Sequence, residues 1–457
     1  MQLNFIGGTV VLEQLNQGVE VKGLQHLKWD ERVSAYRGPA FLVPLIYTEL
    51  LARGFCAELP AIKNQKPVFQ ADETALRPYQ SAALSAWEIA GFRGTVVLPT
   101  GSGKTLVAAA AIRKVGRATL IIVPTLVLLR QWAAVLDKNL GIQTGTFGDG
   151  ERHIKPVTIA TFESAYRHMA WLGDKFDFIV VDEVHHFGGG IRDEALEMSM
   201  ASFRLGLTAT PAVGEEWHQG IARILGPVVY QLDLHDLRGT YLSDFEVVRI
   251  HLELNPKERA AYETGMTAFR RVNEVFRADY PRGSWKDFIF YASRTEAGRG
   301  ALKGLQTAQR ILYCPECKHT ALGSILGRHT DDKVLIFTPD TATAYEISRR
   351  HLIMPLTSDV ARKEREDALS WFRSGEISAL VSCQVLNEGF DVPDANVAII
   401  LGGRRGEREH LQRVGRILRW KDGRKAKIFE LVCNRTLEIR QANRRGQRLD
   451  SGIDSLP

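Results

Sequence analysis

VVLPTGSGKTLVAAAAI, residues 96–112, joins an apolar strand to an alanine-rich helix through a turn that carries two glycines. Gly101 and Gly103 let the backbone curl so that several N–H groups point inward, and a helix starting at once adds the positive end of its dipole. Such a turn cradles phosphate. Pro99, Thr100, Gly101, Ser102 and Gly103 form the loop, Lys104 would reach the β- and γ-phosphates, and Thr105 would offer its hydroxyl to Mg²⁺. The strict form of the pattern has glycine where Leu98 stands, so the match is to the relaxed loop with a PTGSGKT core. The competing reading is a chance glycine-rich strand-to-helix turn.

A phosphate loop needs a metal ligand and a base. In FDFIVVDEVHH (176–186) a mostly apolar run ends on Asp182 and Glu183, at the carboxyl end of a strand, where open α/β sheets bind ligands. Asp182 is expected to hold hydrated Mg²⁺ and Glu183 to orient and polarise the attacking water. The bland alternative is a solvated acidic pair. His185 reads as a coupling residue and His186 as structural, because the pair lacks further ligands at metal spacing.

Working outward, GTVVL, ATLIIV, PVTIAT, FDFIVV and FRLGLT are short, nearly continuous apolar runs, each leading into a loop or helix, as a covered parallel sheet requires. They predict a doubly wound domain over 71–240. DDKVLIFTP, ISALVSC, NVAIIL and KAKIFELV repeat the theme in a second domain over 241–450, with charged helices broken by aromatics over about 255–310. Residues 1–70 read as a small α/β unit set off by the polar PAIKNQKPVFQADET, and 451–457 as a tail. A chain of 457 residues is too long for one core, so several domains are the default.

Composition limits the partners. No apolar run approaches the twenty residues of a membrane span, and five cysteines, an odd number in a large chain, fit a reducing cytoplasm better than a disulfide framework. Residues 401–457 carry 15 Lys and Arg against 7 Asp and Glu, a balance of +8, so the formal +6 of the whole leaves −2 for the rest. The basic charge belongs to one end, and a polyanion met there is the natural inference.

LRPYQ, VVLPTGSGKT, IIVPTLVLLRQW, VVDEVHH, LGLTATP, VLIFTP, SCQVLNEGFDVPDAN and QRVGRILR occur in the order of superfamily 2 helicases, and their wording resembles the XPB family of DNA repair helicases. The resemblance implies an α/β fold of two RecA-like domains, with a small N-terminal domain linked to damaged-DNA recognition (KWDERVSAYRGPAF, 28–41) and a helical thumb insert. It implies an ATP- and Mg²⁺-dependent 3′-to-5′ DNA helicase or translocase in repair, acting on single strands and duplex junctions, with a nuclease or repair-complex protein as partner. Arg77 and Gln80, with Tyr79, match the adenine-reading segment, Thr208 and Thr210 the coupling motif, and Gly389 and Asp391 a nucleotide-touching motif of the second domain. Gln412, Arg416 and Arg419 match the residues that reach the nucleotide from that domain. An arginine there supplies charge where it develops in the transition state. Pro124, Thr125, Arg130, Thr161, Thr338 and Gln384 are candidates for a sequence-blind grip on the nucleic-acid backbone. An RNA helicase, or a regulatory ATPase module in a protein complex, remains the alternative.

Three further stretches each admit two readings. YCPECKH (313–319) holds half of a zinc knuckle, Cys314, Cys317 and His319, but reads better as a turn before a helix. Phe269, Phe276, Tyr280, Trp285 and Phe288 either stack on bases or form a packing face. After LGLTATP the XPB resemblance leads one to expect an Arg-Glu-Asp element that pries strands apart. Here TATPAVGEEWHQG (208–220) has Glu215 and Glu216 without the arginine, and Trp217 is either an aromatic wedge or a buried packing residue.

Overall fold

A computed structural model describes residues 1–13, 23–71, 74–99, 101–188, 190, 192–209, 215–232, 245–357, 359–383, 395–402 and 426–442. These fall into two compact units, one built from the described residues up to 232 and one from 245 onward. Among them no helix is long and apolar enough to cross a membrane.

The first unit opens with β1 (Gln2–Ile6), β2 (Thr9–Glu13), β3 (Lys28–Asp30), β4 (Ala35–Pro39) and the helix α1 (Val43–Ala52). The strands pair antiparallel in the order β1-β2-β4-β3, and Leu3, Val10 and Leu12 pack against Ile46 and Leu50. This small core does not close on itself. Met200, from the following sheet domain, belongs to it, Lys63 pairs with the buried Asp174 at 2.6 Å, and the guanidinium carbons of Arg204 and Arg223 lie 5.9 and 5.3 Å from the Phe41 ring.

The chain continues through α2 (Pro78–Ile89), β5 (Arg93–Val97), α3 (Lys104–Val115), β6 (Thr119–Val123), α4 (Leu126–Leu140), β7 (Gly145–Gly148), β8 (Glu151–His153), β9 (Val157–Thr161), α5 (Phe162–Leu172), β10 (Phe178–Asp182), α6 (Asp193–Glu197), β11 (Phe203–Thr208), α7 (Glu215–Ile224) and β12 (Val228–Gln231). The sheet order is β12-β5-β11-β10-β6-β9-β7-β8, parallel except for the β7-β8 hairpin at one edge. All five apolar runs expected here are strands. Every residue of β6, β9 and β10 is buried, which is why their sequences lack polar alternation. The order places the carboxyl ends of β5, β11 and β10 side by side, with β6 and β9 beyond them.

The second unit comprises β13 (Phe245–Leu252), α8 (Pro256–Asp279), α9 (Trp285–Ser293), α10 (Glu296–Tyr313), α11 (Glu316–Arg328), β14 (Val334–Phe337), α12 (Thr341–His351), β15 (Met354–Leu356), α13 (Arg362–Ser374), β16 (Ala379–Ser382), β17 (Val397–Ile400) and β18 (Ala426–Cys433). Its sheet is wholly parallel, in the order β13-β18-β17-β14-β16-β15. α8 starts with a capping box, Asn255 Oδ1 accepting from the Glu258 N–H at 2.9 Å and Glu258 Oε2 from the Asn255 N–H at 3.1 Å. α8 and α10 then pack so closely that a Cβ on Gly265 would stand 2.4 Å from the Gly304 carbonyl oxygen.

The aromatic insert is mainly a packing face: Phe276 and Phe288 are buried and meet edge to face at 5.3 Å, while Tyr280 and Trp285 are half exposed at its rim. The YCPECKH stretch lies at the turn from α10 into α11. Cys317 packs on the cluster that contains Cys433, and His319 sits between His351 (3.2 Å) and Glu346 (3.1 Å). Beside it the Lys318 ammonium is fully buried, donating to the Leu312 and Leu401 carbonyls at 2.7 and 2.8 Å and to Glu438 Oε1 at 2.6 Å. Glu438 Oε2 in turn accepts the Cys433 N–H at 2.9 Å, so the pair is buried with its hydrogen bonds satisfied.

Candidate active site at the edge of the first parallel sheet

The loop after β5 is shaped by its glycines. Gly101 and Gly103 have φ of 78° and 81°, a region closed to most side chains. At Gly103 a Cβ would also stand 2.5 Å from Gln80 Nε2. That contact reflects a clamp, because Gln80 Nε2 and the Tyr79 hydroxyl each donate to the Ser102 carbonyl at 2.7 Å. Gln80 Oε1 accepts the Arg77 N–H at 2.9 Å, while the Arg77 side chain is exposed. The segment expected to read adenine is thus tied to the phosphate loop from behind. Pro99 accepts the Ser102 hydroxyl at 2.6 Å, tightening the turn. Lys104 and Thr105 open α3, and the Lys104 ammonium donates to the Leu98 and Pro99 carbonyls at 3.1 and 3.3 Å. An incoming phosphate would exchange neutral acceptors for a charged one.

Asp182 ends β10 and is 7 % exposed. Its Oδ1 accepts the Glu183 N–H at 3.0 Å, and its Oδ2 accepts the indole N–H of Trp132 at 2.8 Å. Glu183 follows with φ of 50°, a left-handed conformation that costs a non-glycine residue free energy and concentrates at functional sites. The turn brings Glu183 Oε2 to 3.5 Å from His185 Nδ1, which lies 3.1 Å from the Thr208 hydroxyl at the end of β11. The Thr208 carbonyl accepts the Leu98 N–H at 3.0 Å, closing a path back to the phosphate loop. His186 is exposed and turns its ring to the edge of Phe162 at 5.8 Å.

Oxygen donors from a hydroxyl and a carboxylate suit Mg²⁺, and Thr105 and Asp182 are of that kind. The structure therefore brings Pro99, Gly101, Ser102, Gly103, Lys104, Thr105, Asp182, Glu183, His185 and Thr208 to neighbouring strand ends, with Gln80 behind them. Thr100, Thr210, Gln384, Gly389, Asp391, Gln412, Arg416 and Arg419 lie outside the described residues.

The residues expected to grip nucleic acid occupy the ends of β6 and β9 and, in the second unit, β14. Thr125 caps α4, its hydroxyl accepting the Leu128 N–H at 3.3 Å. Thr161 caps α5 in the same way through Ser164. Thr338 donates to the Asp340 and Ser382 carbonyls at 3.0 and 3.3 Å. Pro124 is half-buried and Arg130 is exposed on α4.

Trp132 carries no functional signal in the sequence alone. The RQW triplet stands 50 positions before Asp182, and only the β10-β6 pairing shows that the two meet. Trp217 resolves differently from a wedge. It is 8 % exposed within the sheet-domain core against Gly188 and Ile221, and its indole N–H has no acceptor among the described residues.

Three family models match the chain in order: the xeroderma pigmentosum group B helicase damage recognition domain over residues 3–55, the type III restriction enzyme res subunit over 73–213, and the helicase conserved C-terminal domain over 317–421. Among solved structures, the Hef helicase domain of Pyrococcus furiosus has the same fold, with a TM-score of 0.53 and 17 % identity over 82 % of this chain and 98 % of that one. A Mycobacterium tuberculosis relative named DNA 3′-5′ helicase XPB is 30 % identical over 81 % of the chain, which spans 63 % of its length. A Sulfurisphaera tokodaii protein named DNA 3′-5′ translocase XPB2 is 34 % identical over 92 % of this chain and 95 % of its own. With likeness to that relative running almost from end to end, and a helicase fold on which the motifs sit in order, the chain belongs to the XPB family of helicases.

Proposed function

We propose that the protein is an ATP-driven DNA translocase or helicase, moving 3′ to 5′ and working in DNA repair. The observation that carries the reading is the connected site on the first sheet, where the phosphate loop, the Asp182–Glu183 pair and Thr208 occupy adjoining strand ends and are joined through His185. In this reading the Gly101–Thr105 backbone and Lys104 bind the phosphates, and Glu183 takes the proton of the attacking water. Thr105 and Asp182 would hold Mg²⁺, which when bound would offset the charge of the phosphates. Arg416 and Arg419, with Gln412, complete the site around the γ-phosphate, and Gly389 and Asp391 touch the nucleotide. Thr208, reached from Glu183 through His185, and Thr210 with it report the state of the phosphate to the rest of the sheet.

DNA would be held by its backbone at the ends of β6 and β9, through Arg130 and the amides that follow Pro124, with Gln384 and Thr338 contributing from the second unit. Residues 1–70 then form the damage-recognition-like domain, 71–240 and 241–450 the two RecA-like domains, and 256–295 the thumb-like insert. A nuclease or repair-complex protein as partner is the corresponding reading for protein contacts. Turnover measured with single-stranded DNA, duplex DNA and RNA tests the proposal. Stimulation by DNA well above RNA is expected; equal stimulation by RNA favours an RNA helicase, and DNA-stimulated turnover without movement along DNA favours a regulatory ATPase module.

A further inference from the structure

α4 presents two different groups. Outward it carries the exposed Arg130; inward, two residues on, it carries Trp132, whose ring is 2 % exposed and whose N–H ends 2.8 Å from Asp182 Oδ2. The acceptor is a carboxylate at the end of β10, and its other oxygen already takes the Glu183 N–H. Donors on both oxygens hold the plane and rotation of the carboxyl group. The Glu183 amide comes from the same turn and moves with it; the indole N–H comes from a separate helix.

We infer that Trp132 is a positioning residue, whose indole N–H sets the orientation in which Asp182 meets the divalent cation of the nucleotide. This rests on the reading of Asp182 as a metal ligand. Groups that hydrogen-bond to a metal-ligating carboxylate fix its rotamer and tune its affinity, and their loss typically costs about 10- to 100-fold in metal affinity or activity. A hydrogen bond from a neutral donor to a buried carboxylate is also stronger than a neutral pair. At position 132 the N–H is directed at one particular oxygen.

The test is binding of a fluorescent, non-hydrolysable ATP analogue titrated with Mg²⁺, alongside binding in EDTA and a thermal melt. Trp132→Phe keeps an aromatic ring and removes the donor. Its Mg²⁺ midpoint should rise about 10- to 100-fold, with metal-free nucleotide affinity unchanged. Trp132→His, whose Nε2–H can take the place of the indole N–H on a five-membered ring, should return towards the wild-type midpoint. Asp182→Asn is measured beside them. If Asp182→Asn raises the midpoint and Trp132→Phe does not, the inference about Trp132 fails and the metal-site reading stands; if Asp182→Asn leaves the midpoint alone, the metal-site reading itself fails. Equal shifts in the Phe and His variants would assign the effect to ring packing and overturn the inference. Should Trp132→Phe not fold, Trp132→His alone decides: a wild-type midpoint supports the inference and a raised one overturns it.

Discussion

Glu183 is where the residue scale bears most directly on function, because its strained φ of 50° aims a carboxylate that a relaxed turn would send elsewhere. Glu183→Gln keeps shape and loses the base, so turnover should fall by about 10²- to 10⁴-fold while nucleotide still binds. Lys104→Ala should instead lose nucleotide affinity together with turnover. Steady-state hydrolysis and nucleotide binding, measured on both variants, separate the two roles; near-normal turnover in Glu183→Gln would remove it as base. The cysteines offer a pH-dependent readout. The hydrogen bond between the Cys317 and Cys433 thiols holds Cys317 below the ordinary thiol range and raises Cys433, which burial raises further, whereas burial pushes Cys314 up to about 12. Since the thiolate is the nucleophile, Cys317 should be alkylated as pH rises well before Cys314. Peptide mapping after iodoacetamide at pH 7 and 9 checks the order. Much at this scale can be read from the sequence, since GSGKT and DEVHH carry their chemistry in consecutive residues. The Trp132 contact cannot, because it is made by strand order across 50 positions.

At the scale of elements, α10 and α7 each make a point about packing. In α10, a Cβ on Gly304 would lie 2.7 Å from the Gly265 carbonyl oxygen, whereas at Gly300 nothing lies within 4 Å. Alanine in place of glycine favours an exposed helix interior by about 0.5–1 kcal/mol, but overpacking against backbone costs about 1–3 kcal/mol. Gly300→Ala should therefore raise the melting temperature and Gly304→Ala lower it, an opposition of sign that helix propensity alone cannot produce. Trp217→Ala should destabilise by about 3–5 kcal/mol, as large-to-small changes of buried aromatics do, and Trp217→Phe by much less, since the indole N–H it loses is unpaired among the described residues. Thermal melts check both pairs. Elements with long apolar runs are legible in the sequence; the β7-β8 hairpin and β12 are not, being short and partly polar segments that make sense only against the sheet edges they extend.

For the whole molecule, the departure after LGLTATP and the burial of Trp217 point the same way. Without the arginine of the Arg-Glu-Asp element, and with the nearest tryptophan in the core, the chain has no wedge among its described residues in that segment. It should translocate with DNA-stimulated hydrolysis yet separate long duplexes poorly unless a partner assists. Strand displacement and translocation, assayed on the same preparation, check this; efficient unaided unwinding of long duplexes would sink it. Trp217→Ala should leave the ratio of strands displaced to ATP consumed unchanged in whatever fraction stays folded.

The second sheet also constrains how the protein can be made. Among the described residues β13 is an edge strand whose one neighbour is β18, so the first described strand of that unit pairs with the last, across about 180 residues of intervening chain. As the polypeptide leaves the ribosome, β13 emerges with its row of amides and carbonyls unmet, and it stays so until Cys433 has followed. Chains arrested before residue 426 carry an unpaired strand and an unfinished sheet, the kind of edge that recruits other chains. Synthesis from one end thus leaves this sheet incomplete until β18 has emerged, whereas the first unit holds all the described strands of its two sheets by Gln231.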